Sequence, residues 1–226
     1  MIRLHFIVEG QTEETFVNRL LAVHLGAYNI SVDARRVETR RRSAKIYRGG
    51  LSEYRKAKQD IRLWMKEDQG EDAYFTTMFD LYALPKDFPG FVASENNILP
   101  LERITRIEQA FKNDIEYPRF IPYIQLHEFE ALLFSEPEKF DWEFIDNQRE
   151  IQELVKIASL FESPELINDD PSTAPSKRII KLLPEYAGRK ASAGPLIAEK
   201  IGVLSMRAKC VHFDAWLRLL ELLGST

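Results

Sequence analysis

The stretch Ile2 to Val8, reading IRLHFIV, is a short apolar run that stops at Glu9–Gly10. A run of this length, bounded by a turn residue, reads as a buried strand. Acids follow it at once, with Glu13 and Glu14 in the first turn of the next helical stretch. Acids in that place suit the positive end of a helix dipole. The same residues also satisfy a second reading, in which Glu9 and Glu13 converge on a metal ion.

The rest of the chain alternates in the same manner. Thr12 to Leu25 reads as a helix with Thr12 as N-cap and Phe16, Leu20 and Val23 on one face. Ile30 to Thr39 reads as a strand, and a helix is expected from about Leu51 to Lys66. AYFTTMFDLY is strand-like and reaches Asp80, a proline-rich loop follows, and a helix spans about Leu101 to Asn113. RFIPYIQLHEFEALLF begins as a strand near Phe120 and changes to helix near Glu128. Strands separated by helices of this length predict an α/β fold with a parallel sheet built from βαβ units. Past Ser135 the strand signals fade into short helical stretches, ending in the amphipathic FDAWLRLLELL. The expected organisation is an α/β core over 1–135 and a helical region over 136–226 packed on it.

At 226 residues the chain is long enough for one large domain or a core with an appendage. No apolar run approaches the ~20 residues of a membrane span, and the N-terminus lacks a signal-peptide pattern. The one cysteine, Cys210, excludes an intrachain disulfide framework and a zinc site built from several thiolates. A reducing cytoplasm is the expected location. The net charge of −4 conceals an internal asymmetry. Arg35 to Arg48 holds seven basic residues against Glu38, and Lys177 to Lys209 holds eight against two acids. Each is either a solvated face or a local patch that neutralises nucleic-acid phosphates.

In open parallel sheets, ligands bind outside the carboxyl ends of the strands. Three expected strands end in carboxylates: Glu9, Asp80 and Glu128. Glu13 leans back from the first helical turn toward the same rim. Several carboxylates without a His or Cys cluster favour Mg²⁺ or Mn²⁺ over zinc.

IVEGQTEETF followed far downstream by FDLYALP resembles the Toprim domain of topoisomerases, primases and OLD-type nucleases. VEGQTEE, YRGG, TTMFDLYALPKDFPGF, YIQLHEFEALLF and RAKCVHFDAWL together are similar to a bacterial Toprim-like family whose members accompany ABC-type ATPases in anti-phage systems. The Toprim effector of PARIS-type defence is among them. The resemblance spans nearly the whole chain. It implies a Toprim-like parallel sheet flanked by helices, with Glu9 as the family's glutamate, Glu13 as the second acid of the OLD-type pattern, and Asp80 as the first acid of the Asp-x-Asp pair. Tyr82 stands where that pair's second aspartate would be, so Glu128 or Glu130 is left to supply the missing oxygen, with Glu128 nearer the strand end. His127 beside it is an orienter, a phosphate contact or a structural histidine.

The expected activity is phosphodiester cleavage in RNA (tRNA among the substrates) or DNA. Mg²⁺ or Mn²⁺ is held by Glu9, Glu13, Asp80 and Glu128, and a basic group such as Lys190, Lys177 or Arg178 stabilises the transition state. Arg40, Arg41, Arg42, Lys177 and Arg178 are the candidates for contacting the nucleic-acid backbone. An ABC-type ATPase subunit is the implied partner, a homodimer is a further assembly, and no membrane is involved. Two other readings stand beside the nuclease. One is a non-catalytic Toprim-like subunit that binds or regulates an ATPase, favoured by Tyr82; the other is a phosphotransfer enzyme acting on small phosphate esters. Among lesser features, YRGG reads as a turn, Cys210 beside His212 as packing, and Trp216, Leu219 and Leu223 as core or interface. Tyr47 and Tyr82 are placed to stack on a base.

Overall fold

The computed structural model describes residues 1–37, 51, 53–91, 99–167 and 173–225. Five strands form one sheet: β1 (Ile2–Val8), β2 (Ile30–Arg36), β3 (Ala73–Asp80), β4 (Phe120–Ile121) and β5 (Ile124–Gln125). The order is β2-β1-β3-β4, with β5 also on β3, and every pairing is parallel. The α/β fold with a parallel sheet, flanking helices and a helical C-terminal part is therefore as the alternation predicts. Arg3 pairs with both Ser31 and Ala73, and Val8 with both Arg36 and Met78. The three long strands consequently end at one rim.

The strand alternation sorts side chains to two faces. Leu4, Phe6 and Val8 enter one apolar cluster, while Ile7, Phe75 and Phe79 enter a second. The second is covered by α3 (Tyr54–Glu67) and α4 (Pro100–Ile115). Tyr54, Ala57, Ile61 and Met65 line one side of α3, and Ile104, Ile107, Phe111 and Ile115 one side of α4. This three-and-four spacing is what an amphipathic helix needs on a sheet. Pro100 fixes the first turn of α4, and Glu116 closes it in the left-handed conformation at φ 56°.

The first face is covered differently. Against it pack α1 (Gln11–Phe16), a π-helical turn (Val17–Leu21) and α2 (Ala22–Gly26), with later helices above. Those are the short α5 (Glu130–Leu133), α6 (Gln148–Ser159), α7 (Pro175–Leu182), α8 (Tyr186–Ile201), α9 (Val203–Lys209) and α10 (Val211–Leu223). Their apolar residues join those of β1 in a single cluster, from Leu4 and Phe16 to Phe213 and Leu220. Trp216 of α10 reaches the sheet itself: its indole stacks on Tyr123 at 4.0 Å, and its Nε1–H donates to Thr76 Oγ1 at 2.9 Å. Burying one such aromatic side chain contributes about 1.5–3 kcal/mol, so α10 is held by packing and not by a tether.

Several local expectations are corrected. The first helix starts at Gln11, with Gly10 as N-cap two residues before Thr12 and Gly10 N–H donating to Glu13 Oε2 at 2.9 Å. Val23 is 73% exposed, while Val17, Leu21 and Leu25 are buried. The cause is the π turn, in which Ala22 N–H bonds Val17 C=O five residues back. The extra residue rotates everything after it away from the 3.6-residue phase. Of Trp216 and Leu219, expected in the core or an interface, Trp216 is buried in the core and Leu219 is 54% exposed on α10, which leaves the interface alternative for it. Cys210 is fully buried with Sγ 3.6 Å from Ser135 Oγ, and burial pushes its thiol pKa up, in keeping with a packing role. Strand β2 ends at Arg36, short of Thr39. Among the described residues no helix is long and apolar enough to cross a membrane.

Candidate active site

Glu9 follows the last residue of β1, and Asp80 ends β3, so the parallel register sets both at the same rim. Their contact is direct: Asp80 N–H donates to Glu9 Oε2 at 3.3 Å. Glu13 returns to this rim because it occupies the first turn of α1, and it is buried there. Beyond β5 the chain turns sharply at His127, whose φ of 65° lies in the left-handed region. That turn delivers Glu128 and Glu130 to the rim. Phe129 N–H donates to Asp80 Oδ1 at 2.9 Å, locking the turn onto the end of β3.

A cavity of about 570 Å³ gathers these groups. Glu9, Glu13, Asp80, Glu128 and Glu130 line it, with Tyr82 at the lip and Lys177 and Lys190 from α7 and α8. Lys190 Nζ lies 3.1 Å from Glu130 Oε1, and Tyr186 O–H donates to the same oxygen at 3.4 Å. Glu128 is held from another side, its Oε2 accepting Ser176 N–H at 2.9 Å. Pro195 inside α8 has no N–H, which deprives the carbonyl of Ala191, one turn back on the cavity wall, of its helical donor.

The electrostatics of this pocket are those of crowded acids. Burial and the charge of Glu13 push the Glu9 pKa up to about 8, partly offset by the Asp80 N–H. Burial pushes Glu13 up to about 7, against the opposing pull of its backbone hydrogen bonds. Asp80 is raised well above the usual carboxylate range by burial, then by Glu13 and Glu9. Glu130 is raised by burial, against the pull of Lys190. Desolvation and like charge act together here, and both disfavour ionisation. Five carboxylates face two lysines, so acid outweighs base in the pocket.

Each acid is turned to its own local donor. As they stand, no three His, Cys, Asp or Glu side chains among the described residues form a group that would hold a metal ion. The expectation that Glu9, Glu13, Asp80 and Glu128 meet around an ion is thus matched by a shared cavity and not by a closed ligand set. The donor chemistry itself, all oxygen and buried, fits a hard divalent cation.

Of the basic candidates, Lys177 and Lys190 reach the cavity. Arg178 does not line it; its Nε donates to Thr173 C=O at 2.7 Å and its guanidinium lies 5.4 Å from the Phe161 ring centre. Arg40, Arg41 and Arg42 lie outside the described residues, as do Tyr47 and the YRGG turn. Glu130, the runner-up to Glu128, lines the cavity beside it. His127 is buried, its Nδ1 has no hydrogen-bond partner, and burial lowers its pKa to about 4. The residues that sequence reasoning missed are Tyr186 and Ser176. Neither carries a signal in the sequence, because one acts through a buried hydroxyl and the other through its backbone.

A family model, described as Domain of unknown function (DUF4276), matches residues 8–221. The chain belongs to that family. The match runs from the end of β1 to α10, so the DUF4276 unit contains the acid cavity together with the helices that close it. Comparison with curated proteins finds no match. Among solved structures, the C-terminal region of the Xanthomonas campestris pv. campestris OLD protein is similar to this chain over 97% of each, at 15% identity and a TM-score of 0.35.

Proposed function

We propose that this DUF4276 chain is a metal-dependent phosphodiesterase of the Toprim type that cleaves RNA or DNA. The observation that carries the reading is the meeting of five carboxylates and two lysines in one cavity at the carboxyl-end rim of a parallel sheet. Acids crowded in this way either keep protons or share a cation, and the second state is the one a metal-dependent enzyme uses. Glu9, Glu13 and Asp80 would hold Mg²⁺ or Mn²⁺, and Glu128 would join them on leaving Ser176. A divalent ion in this place supplies Lewis acidity to a phosphate and lowers the pKa of water. The chain's own contribution is to position the phosphate and to offset its charge. Lys177 and Lys190 line the cavity from α7 and α8 and suit that role.

Three further proposals come from the sequence resemblance and not from the cavity. They are a cytoplasmic location, an ABC-type ATPase partner, and service as a toxic effector in anti-phage defence. A homodimer is compatible with all three. A second reading, a non-catalytic subunit that docks on the ATPase, is favoured by Tyr82 in place of an aspartate and by the absence of a ready ligand set among the described residues. One experiment separates the two. Purified protein is incubated with tRNA, single-stranded RNA and duplex DNA in EDTA, Mg²⁺ or Mn²⁺, with and without the ATPase and ATP. Metal-dependent cleavage that Glu9→Gln removes establishes the enzyme; binding of the ATPase without cleavage under every condition establishes the docking subunit.

A further inference from the structure

Helix α3 carries a basic stripe that the acid cavity does not use. Arg55, Arg62 and Lys66 are exposed and spaced seven and four residues apart, so they share one face of the helix. At 1.5 Å per residue they stand about 10 Å and about 6 Å apart along the axis. Neighbouring cations are already committed: Lys56 Nζ is 2.6 Å from Glu53, and Lys58 Nζ is 2.7 Å from Asp114. Among the described residues, no ion pair holds Arg55, Arg62 or Lys66.

Two surface grooves meet on this stripe. One, of about 640 Å³, runs past Arg55, Arg62, exposed Leu63 and Lys66, with Asp60 the acid on its wall. The other, of about 530 Å³, shares Arg62 and Lys66 and continues to Tyr117 and Arg119. The stripe also has a direction. Tyr54 N–H at the start of α3 donates to Asp87 in the loop leaving Asp80, whereas Asp68 just past its end pairs with Arg3 at the start of β1. The groove therefore starts near the rim that carries the acid cavity and descends the outer face of the molecule.

We infer that the α3 face holds the phosphate backbone of the nucleic acid whose scissile phosphodiester enters the acid cavity. This rests on the nuclease reading above and names the substrate as a polymer longer than the cavity. A small phosphate ester has no use for cations strung out along a helix. A chain of regularly spaced phosphates does, and guanidinium groups suit phosphate oxygens in particular.

The test is binding by the full chain in EDTA, where no cleavage intervenes. Fluorescence anisotropy of labelled single-stranded RNA and duplex DNA is followed through a salt titration, for the wild type and for a triple variant, Arg55→Gln, Arg62→Gln and Lys66→Gln. Affinity should fall about tenfold or more, and the log–log salt slope should flatten by about 0.7 per lost contact on single strands or about 0.9 on duplex. Arg62→Glu should weaken binding further still. Lys156→Gln, on exposed α6, should change neither quantity. Circular dichroism confirms that each variant is folded. Unchanged affinity and slope in the triple variant, or no nucleic-acid binding by the wild type, overturns the assignment. So does equal competition, charge for charge, by poly-glutamate, which marks an acidic-protein dock. Hydrolysis of bis(p-nitrophenyl) phosphate with Mn²⁺ is measured separately on the wild type. Its absence counts against the nuclease reading, while binding that depends on α3 still upholds this face as a nucleic-acid surface.

Discussion

Lys190 Nζ of α8 and Glu130 Oε1 of α5 stand 3.1 Å apart, with the carboxylate 6% exposed and the lysine 35% exposed. This ion pair joins the C-terminal helices to the acid cluster at the sheet rim. Removing the lysine leaves Glu130 charged and buried without its strongest partner. Lys190→Met should therefore destabilise the protein by about 1–3 kcal/mol near neutral pH. The loss should shrink at acidic pH, because Glu130, whose pKa burial already raises, takes a proton instead. Urea unfolding at the two pH values measures it, and equal losses at both would show that packing of the lysine stem, not charge, is what matters.

Stability in EDTA should fall as pH rises. Glu9 and Glu13 have folded pKa values of about 8 and about 7, above the usual 4.5, and Asp80 is raised as well. Between the ordinary carboxylate range and about pH 8 the folded state binds more protons than the unfolded state, so stability decreases with pH across that window. Millimolar Mn²⁺ or Mg²⁺ should reverse the trend, raising the melting temperature more at about pH 8 than at about pH 5, because only the ionised site binds the cation. A melting temperature indifferent to both pH and metal would remove the cation from the picture.

Glu9→Gln should separate activity from stability. It keeps the side-chain volume but deletes one of the mutually repelling charges. Cleavage should drop by about two orders of magnitude or more, while the melting temperature in EDTA at alkaline pH rises. Undiminished cleavage by the variant would identify a contaminating nuclease.

At Gly194, α8 packs close against its neighbours. A Cβ there would lie 3.0 Å from the Tyr186 hydroxyl, 3.2 Å from Phe129 Cε1 and 3.6 Å from Thr12 Cγ2. In Gly194→Ala the crowding is opposed by a gain in helix propensity of about 1 kcal/mol, leaving a small net change. Gly194→Val adds bulk that cannot be absorbed and should cost about 1–3 kcal/mol. It should also lower activity, because Tyr186 touches Glu130. Denaturation and cleavage assays on the two variants together check this; equal stability of the valine variant would mean that α8 can shift freely.

The legible part of this fold is what periodicity encodes. The runs ending at Val8 and Asp80 were readable because a buried parallel strand is apolar on both faces, and the acids after them were therefore placed on one rim. The face of the first helix was misread at Val23 because a π turn leaves no mark in composition: Val17 to Leu21 looks like any helical segment. For Leu219 the sequence leaves core and interface open, because α10 is apolar beyond the stripe it buries. Glu128 and Glu130 were both in view, but their shared cavity depends on the left-handed turn at His127, which a histidine in sequence does not announce. Tyr186 and the Ser176 N–H enter the site only through tertiary docking of α7 and α8. The α3 stripe is faint in the sequence because its cations lie seven and four residues apart among other residues, so only the helix brings them to one face.

The order in which the chain is made gives the Trp216–Thr76 contact a further meaning. Synthesis on a ribosome delivers the whole sheet and both helices of its α3–α4 face before α8 and α10 exist. Until then Leu4, Phe6, Met78 and Tyr123 have no cover from those two helices, and an uncovered parallel sheet is prone to aggregate. Lys190 and Tyr186 arrive late as well, so the acid rim stays without its lysine from α8 while the chain is being made. A DUF4276 chain interrupted before α8 is therefore both sticky and incomplete at its rim, and one interrupted between α8 and residue 216 is still sticky, which makes truncated products targets for chaperones and proteases.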